Sequence, residues 1–349
     1  MIWDEKTIEK IRQGYFSAVY FNRTKQILLA EKNTTSATMQ IFQKHDDVTI
    51  CGIDEVVELF KVATGYFDKN TWVDTFSELT IETLKDGDVA DGWETVMHIT
   101  GPYAYFAHLE SLYLGILARQ TRIATNTKKV VEAARGKDVI FFADRFDSFV
   151  NQESDGYGAR IGGAAGVATE AQAKFWDKKP MGTIPHALIA MEDGNTVAAA
   201  EKFVQQFPDV PLIVVVDFEN DCIKTSLDVA KKFGKKLFGV RLDTSEKMVD
   251  VSVAKEKLTG VNPLLVKRVR KALDDEGFSH VKIIVSGGFN KEKIELFESE
   301  QTPVDIYGVG SSLVKGENDF TADIVKVNAK SAGKTGRTFR PNTKLQKIT

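Results

Sequence analysis

The sequence predicts an α/β protein: an incomplete parallel α/β barrel preceded by an N-terminal α+β domain. Three observations carry that prediction. After Gly136, runs dominated by Val, Ile and Leu recur at "DVIFFAD" (138–144), "IPHALIA" (184–190), "PLIVVVD" (211–217), "KLFGVRLD" (236–243), "VKIIVSG" (281–287) and "VDIYGVG" (304–310). Such unbroken apolar strands belong to parallel sheets covered on both faces. Amphipathic stretches lie between most of them, at "GNTVAAAEKFVQQF", "NDCIKTSLDVAKKF", "NPLLVKRVRKALDDEG" and "NKEKIELFES", and each offers a covering helix. The number of such units favours a closed or nearly closed barrel over a doubly wound open sheet, the alternative architecture. "RIGGAAGVATEAQAKFW" is a candidate for one more strand and helix.

Before Gly136 the pattern changes. "SELTIETLKDGDVADGWETVMHITGPY" alternates apolar and polar residues around Asp86-Gly87-Asp88 and Asp91-Gly92, turn signals that join antiparallel strands. "YAYFAHLESLYLGILARQTRIATNTKKVVEAAR" reads as one long helix. Leu109, Leu112, Leu114, Ile116 and Leu117 leave its middle so little polar surface that burial between domains or subunits is expected. The tail "SAGKTGRTFRPNTKLQKIT" is basic and loop-like and is expected to pack back on the first domain. The expected divisions are 1–110, 111–320 and 321–349.

The bulk numbers narrow the function classes. A chain of 349 residues, 43% hydrophobic and 27% charged, has room for a large core. A net charge of −3 argues against a broad nucleic-acid surface. Cys51 and Cys222 stand far apart without a CxxC, so neither a zinc ribbon nor a disulfide framework is suggested. The charged start "MIWDEKTIEK" lacks the apolar stretch of a signal peptide, and no apolar run approaches the ~20 residues of a membrane span. A cytoplasmic, soluble protein without membrane or nucleic-acid partners is expected.

Chemistry-bearing residues gather where the apolar strands stop: Asp144-Arg145, Thr183 to His186, Asp217, Arg241 with Asp243, Ser286-Gly287-Gly288, and Gly308 to Ser312, including Gly310 and Ser311. In a parallel barrel the carboxyl ends of the strands are where ligands bind. The two glycine-rich ends follow the last two strands, the usual phosphate position, because N–H groups approach oxygens closely where no Cβ intervenes. Tight turns are the plainer reading of either alone. Arg241 and Asp243 share a strand face, so Arg241 is expected to meet an anion and Asp243 a sugar or Mg²⁺ beside it. Asp217 is a candidate for ribose hydroxyls or Mg²⁺, or alternatively a helix N-cap. Tyr157 and Arg160 in "DGYGARIGG" offer a stacking face and an anion fork, with a glycine-rich surface turn as the alternative. His186 is read alternatively as a core histidine.

Taken in order, "AVYFNRTKQIL", "ITGPYAYFAHLESLYLGILARQTRIAT", "YGAR", "GTIPHALI", "VVDFEND", "GVRLDTS", "VSGGFN" and "YGVGSSL" resemble the nicotinate phosphoribosyltransferases in their short prokaryotic, type II form. The resemblance implies transfer of a phosphoribosyl group from phosphoribosyl pyrophosphate to nicotinate, with Mg²⁺ as cofactor and ATP as co-substrate. It implies that Tyr20, from a neighbouring subunit of a homodimer or higher oligomer, and Tyr157 enclose the pyridine ring. Arg160 and Arg241 would grip the nicotinate carboxylate and the phosphoribosyl group, with Thr183 in the substrate site. Asp243 would serve the ribose and metal, and Ser286, Gly287, Gly288, Gly308, Gly310 and Ser311 the 5′-phosphate. His186 would be the histidine phosphorylated by ATP. Ala187 departs from the serine that follows this histidine in longer members. Ile184 replaces the aspartate of nicotinamide-using relatives, which favours the acid. No cysteine follows Cys222, so the C-terminal cysteine metal site of some short relatives is ruled out. Quinolinate or another heterocycle as substrate, or a non-catalytic ligand-binding relative, are the alternatives.

Overall fold

The computed structural model describes residues 2–348, which divide into two compact units: the chain up to Thr125 together with the part from Gly316 onward, and Asn126–Lys315. The first unit opens with α1 (Glu5–Arg12), started by Asp4, whose side chain accepts from the Thr7 N–H at 2.6 Å. It continues through α2 (Val19–Ala30), β1 (Ser36–Phe42), β2 (Val48–Thr49), α3 (Ile53–Ala63), β3 (Gly65–Asp68), β4 (Thr71–Asp74), β5 (Thr80–Thr83), β6 (Val89–Ala90) and β7 (Thr95–Pro102). The helix α4 (Glu110–Ala133) follows.

α4 starts later than the sequence suggests, because Tyr103–Tyr105 and Ala107–Leu109 form two separate 3₁₀ turns. The aromatics there are poor helix formers. Tyr113 and Leu117 of α4 are buried in the core of the first unit with Phe60 and Ile99. That packing moves the division from 110/111 to Thr125/Asn126.

The second unit contains β8 (Asp138–Phe141), α5 (Gln152–Ile161), β9 (Gly166–Val167), α6 (His186–Met191), α7 (Thr196–Gln206), β10 (Leu212–Val215), α8 (Cys222–Phe233), β11 (Leu237–Leu242), α9 (Pro263–Asp275), β12 (Lys282–Val285), α10 (Lys291–Ser299) and β13 (Ile306–Val309). Its sheet runs β10-β11-β12-β13-β8-β9, parallel throughout, an open half-barrel. Ile140, Ile213, Ile284 and Ile306, one from each of four strands, form its apolar interior. β11 contributes Gly239 at this level: a Cβ there would lie 2.6 Å from Ile284 Cδ1 and 2.8 Å from the Lys282 carbonyl. Asn195, Asp221, Asn262 and Asn290 cap α7, α8, α9 and α10 by accepting from the N–H three residues on.

"IPHALIA" is not a strand. Only Ile184 bridges to the sheet, beside Val214, and from His186 the chain is α6. Ala, Leu and Met favour helix, while β-branched residues favour strands and only Ile189 follows Ile184 here. "DGYGARIGG" likewise belongs mostly to α5.

The chain then re-enters the first unit as β14 (Thr321–Val327), β15 (Lys330–Ser331) and β16 (Gln346–Lys347). The sheet there is ordered β15-β14-β1-β7-β5-β16 and is antiparallel. β14 pairs with β1 and β16 with β5, and the Thr95 hydroxyl donates to the Arg340 carbonyl. Among the described residues no helix is long and apolar enough to cross a membrane.

Candidate active site at the strand ends

Strand register sets the site. Arg241 lies level with Val215 on β10 and Ile284 on β12, and Val285 is level with Tyr307. The next residues, Asp243, Ser286 and Gly308, therefore stand at the carboxyl edge together. There they line a cavity of about 200 Å³ with Arg241, Gly287, Gly288, Gly310 and Ser311. Eight residues read from three strand ends thus meet in one place. Phe142, Arg145, Phe146 and Phe289 complete the wall. Of these, only Arg145 carried a signal in the sequence, as a charged residue after "FFAD". The phenylalanines read as ordinary core.

The polar groups are held. Ser286 Oγ–H donates to Asp243 Oδ1 at 2.6 Å, and Arg241 Nη2 is 3.6 Å from Asp243 Oδ2. Arg241 Nε is buried without a hydrogen-bond partner, a state that costs free energy unless a ligand supplies an acceptor. A half-buried guanidinium beside one carboxylate leaves donors for a further anion.

His186 and Asp217 form a second pair. His186 Nε2 is 3.0 Å from Asp217 Oδ1. This hydrogen bond, partly offset by desolvation, raises the imidazole pKa above its usual value. The histidine side chain keeps 40% of its exposure, so it is no core residue. The helix cap considered for Asp217 falls instead to Asp221.

Other expected residues stand outside the cavity wall. On α5, Tyr157 packs edge-on against Phe175 at 5.5 Å, and Arg160 Nη1 donates to the Phe175 carbonyl at 2.8 Å. The Thr183 hydroxyl donates to the Ile184 carbonyl at 3.3 Å. Tyr20 is an exposed side chain of α2 in the first unit. A larger depression of about 700 Å³ lies on α7 and α8, lined by Lys202, Lys232, Lys235 and Lys236. Lys202 and Lys232 are paired there with Glu192 and Glu201. It is an open helix-surface groove at the amino end of β11, which Lys236 directly precedes, and not at the carboxyl edge of the sheet.

Fold and cavity define a class: a parallel α/β half-barrel with a polar, glycine-lined recess at the carboxyl edge of its sheet, where such folds hold phosphorylated ligands. Residues 18–121 match the family model described as "Quinolinate phosphoribosyl transferase, N-terminal domain", and residues 123–318 match its C-terminal domain. The chain belongs to this family of type II phosphoribosyltransferases.

Similar curated proteins include nicotinate phosphoribosyltransferase of Bacillus subtilis, 28% identical over 76% of this chain and 52% of that protein. Nicotinate phosphoribosyltransferase pncB2 of Mycobacterium tuberculosis is 26% identical over 68% of this chain and 49% of that protein. The chain spans about half the length of these relatives. Among solved structures, nicotinate-nucleotide pyrophosphorylase from Pyrococcus furiosus is similar with a TM-score of 0.81 and 30% identity, over 97% of this chain and 80% of that one. Human nicotinic acid phosphoribosyltransferase shares the fold, with a TM-score of 0.68 at 14% identity, over 90% of this chain and 75% of that one.

Proposed function

We propose that this protein transfers the 5-phosphoribosyl group of phosphoribosyl pyrophosphate to the ring nitrogen of nicotinate, releasing pyrophosphate and the mononucleotide. The observation that carries the reading is the convergence of Arg241, Asp243, Ser286 and both late glycine turns on one cavity. The glycine turns and Ser311 receive the 5′-phosphate, Asp243 the ribose hydroxyls, and Arg241 and Arg145 the anionic charge. Arg160, Tyr157 and Thr183 serve the pyridine and its carboxylate. Tyr20 reaches the ring from a second copy, a role supported by the exposure of Tyr15, Phe16, Val19, Tyr20 and Ile27 around α2.

The reaction suits this inventory. A pyridine nitrogen is nucleophilic at neutral pH, so no base is needed to activate it. The barrier lies in ionisation at the anomeric carbon and departure of pyrophosphate, which fixed charges and positioning lower. Among the described residues no cluster of three or more His, Cys, Asp or Glu side chains is disposed to hold a metal. Mg²⁺ needs only one or two carboxylates, because substrate phosphates and water complete its shell. Asp243 fits that demand, and Asp217, committed to His186, fits it less well. When bound, the ion would neutralise leaving pyrophosphate.

His186 is the residue we assign to phosphorylation by ATP. Asp217 accepts from Nε2–H, which fixes the tautomer and leaves Nδ1 to act as nucleophile.

Quinolinate is the second reading, favoured by the description of the matching family models. Its additional carboxylate requires a further cation beside the pyridine, and of the residues assigned to the ring and its carboxylate only Arg160 is charged. The deciding experiment offers nicotinate, nicotinamide and quinolinate separately with phosphoribosyl pyrophosphate, with and without ATP. Nicotinate mononucleotide from nicotinate alone, accelerated by ATP, is expected. Product from quinolinate alone would overturn the assignment.

A further inference from the structure

Glu246, in the loop after β11, points its carboxylate at Gly288, the second glycine of the turn after β12. A Cβ built on Gly288 would overlap Glu246 Oε1, so the carboxylate fills the space that a side chain at this position would take. Gly288 has φ +67° and lines the cavity.

A cation stands on the same turn. Lys293, in the first turn of α10, donates Nζ–H to the Gly287 carbonyl at 3.0 Å and lies 4.3 Å from the Phe289 ring centroid. A lysine at a helix N-terminus opposes the helix dipole. Burial lowers its pKa, and the Glu246 charge acts in the opposite sense. The Glu246 charge, beyond ion-pair distance, therefore offsets part of the cost of burying Lys293.

We infer that Glu246 is an internal competitor for the Gly287–Gly288 turn, displaced when a phosphorylated ligand binds, and that Lys293 then exchanges its carboxylate neighbour for phosphate. The inference rests on reading the cavity as a phosphate-ester site. If Glu246 holds the turn for about 70–90% of the time, apparent phosphate affinity falls about three- to tenfold, by the same factor for every ligand that needs the turn. Inorganic phosphate, with few other contacts, then binds poorly at modest concentration. A sugar phosphate, engaging Asp243 and Arg241 as well, retains useful affinity.

Calorimetric titration of the full chain with inorganic phosphate and with ribose 5-phosphate tests this. Glu246→Gln and Glu246→Ala should each bind both ligands about three- to tenfold more tightly and by similar factors, while Lys293→Met should weaken both. Unchanged or weaker binding in the Glu246 variants, with ribose 5-phosphate still bound by the parent chain, would overturn the competitor and leave the cavity reading standing. Failure of parent and variants alike to bind ribose 5-phosphate at millimolar concentration would overturn both.

Discussion

At the scale of residues, Arg241 is the cavity-wall cation set against a carboxylate. It has Asp243 on one side and a buried Nε without a partner on the other. Arg241→Ala should lower kcat/KM at least about 100-fold, as loss of a preorganised charge does, with the circular dichroism spectrum unchanged. Near-parental kcat/KM would remove Arg241 from the site. For His186 the sign of the pH effect follows from its partner. Asp217 stabilises the imidazolium and raises its pKa above 6.5, and phosphorylation requires the neutral imidazole. ATP-stimulated turnover should therefore rise as pH increases through that raised value. Asp217→Asn removes the stabilising charge, so the acid limb of the profile should move to lower pH. An unmoved limb would show that another group controls it. These residue assignments were legible because charged and glycine residues interrupt apolar strands. The flanking Phe142, Phe146 and Phe289 were not, since nothing in a phenylalanine distinguishes a cavity wall from a core.

At the scale of elements, the parallel strands were legible and some connections were not. Val/Ile/Leu runs bounded by Asp, Arg and Gly can hardly be anything but buried strands. α5 was hidden by Gly156 and Gly158, which lower helix propensity. Tertiary contacts hold it instead: Trp176 Nε1–H donates to the Gly156 carbonyl at 3.0 Å and Arg160 to that of Phe175. α6 was hidden because a short apolar run has no decisive period. β11 gives an element-level test. Gly239 leaves room for Ile284 and the Lys282 carbonyl, so Gly239→Val should overpack the half-barrel and cost about 1–3 kcal/mol in urea denaturation. An unchanged midpoint would mean that the interior packs more loosely than this geometry requires.

At the scale of the whole molecule, one arrangement decides the reading: within a six-stranded parallel sheet, the ends of β11, β12 and β13 deliver eight polar or glycine residues to a single recess. Length and composition allowed a two-domain α/β enzyme. They could not show that the first unit's sheet is completed by β14 and β16 from the other end of the chain, because sheet partners so distant in sequence leave no local signal. The central claim is that this recess binds the phosphoribosyl group, and a crystal structure of the chain with ribose 5-phosphate tests it most directly. The phosphate is expected within hydrogen-bonding distance of the N–H groups of Gly287, Gly288, Gly310 and Ser311, with the ribose hydroxyls at Asp243. A phosphate seated instead in the lysine-lined groove of α7 and α8, with the recess empty, would contradict it.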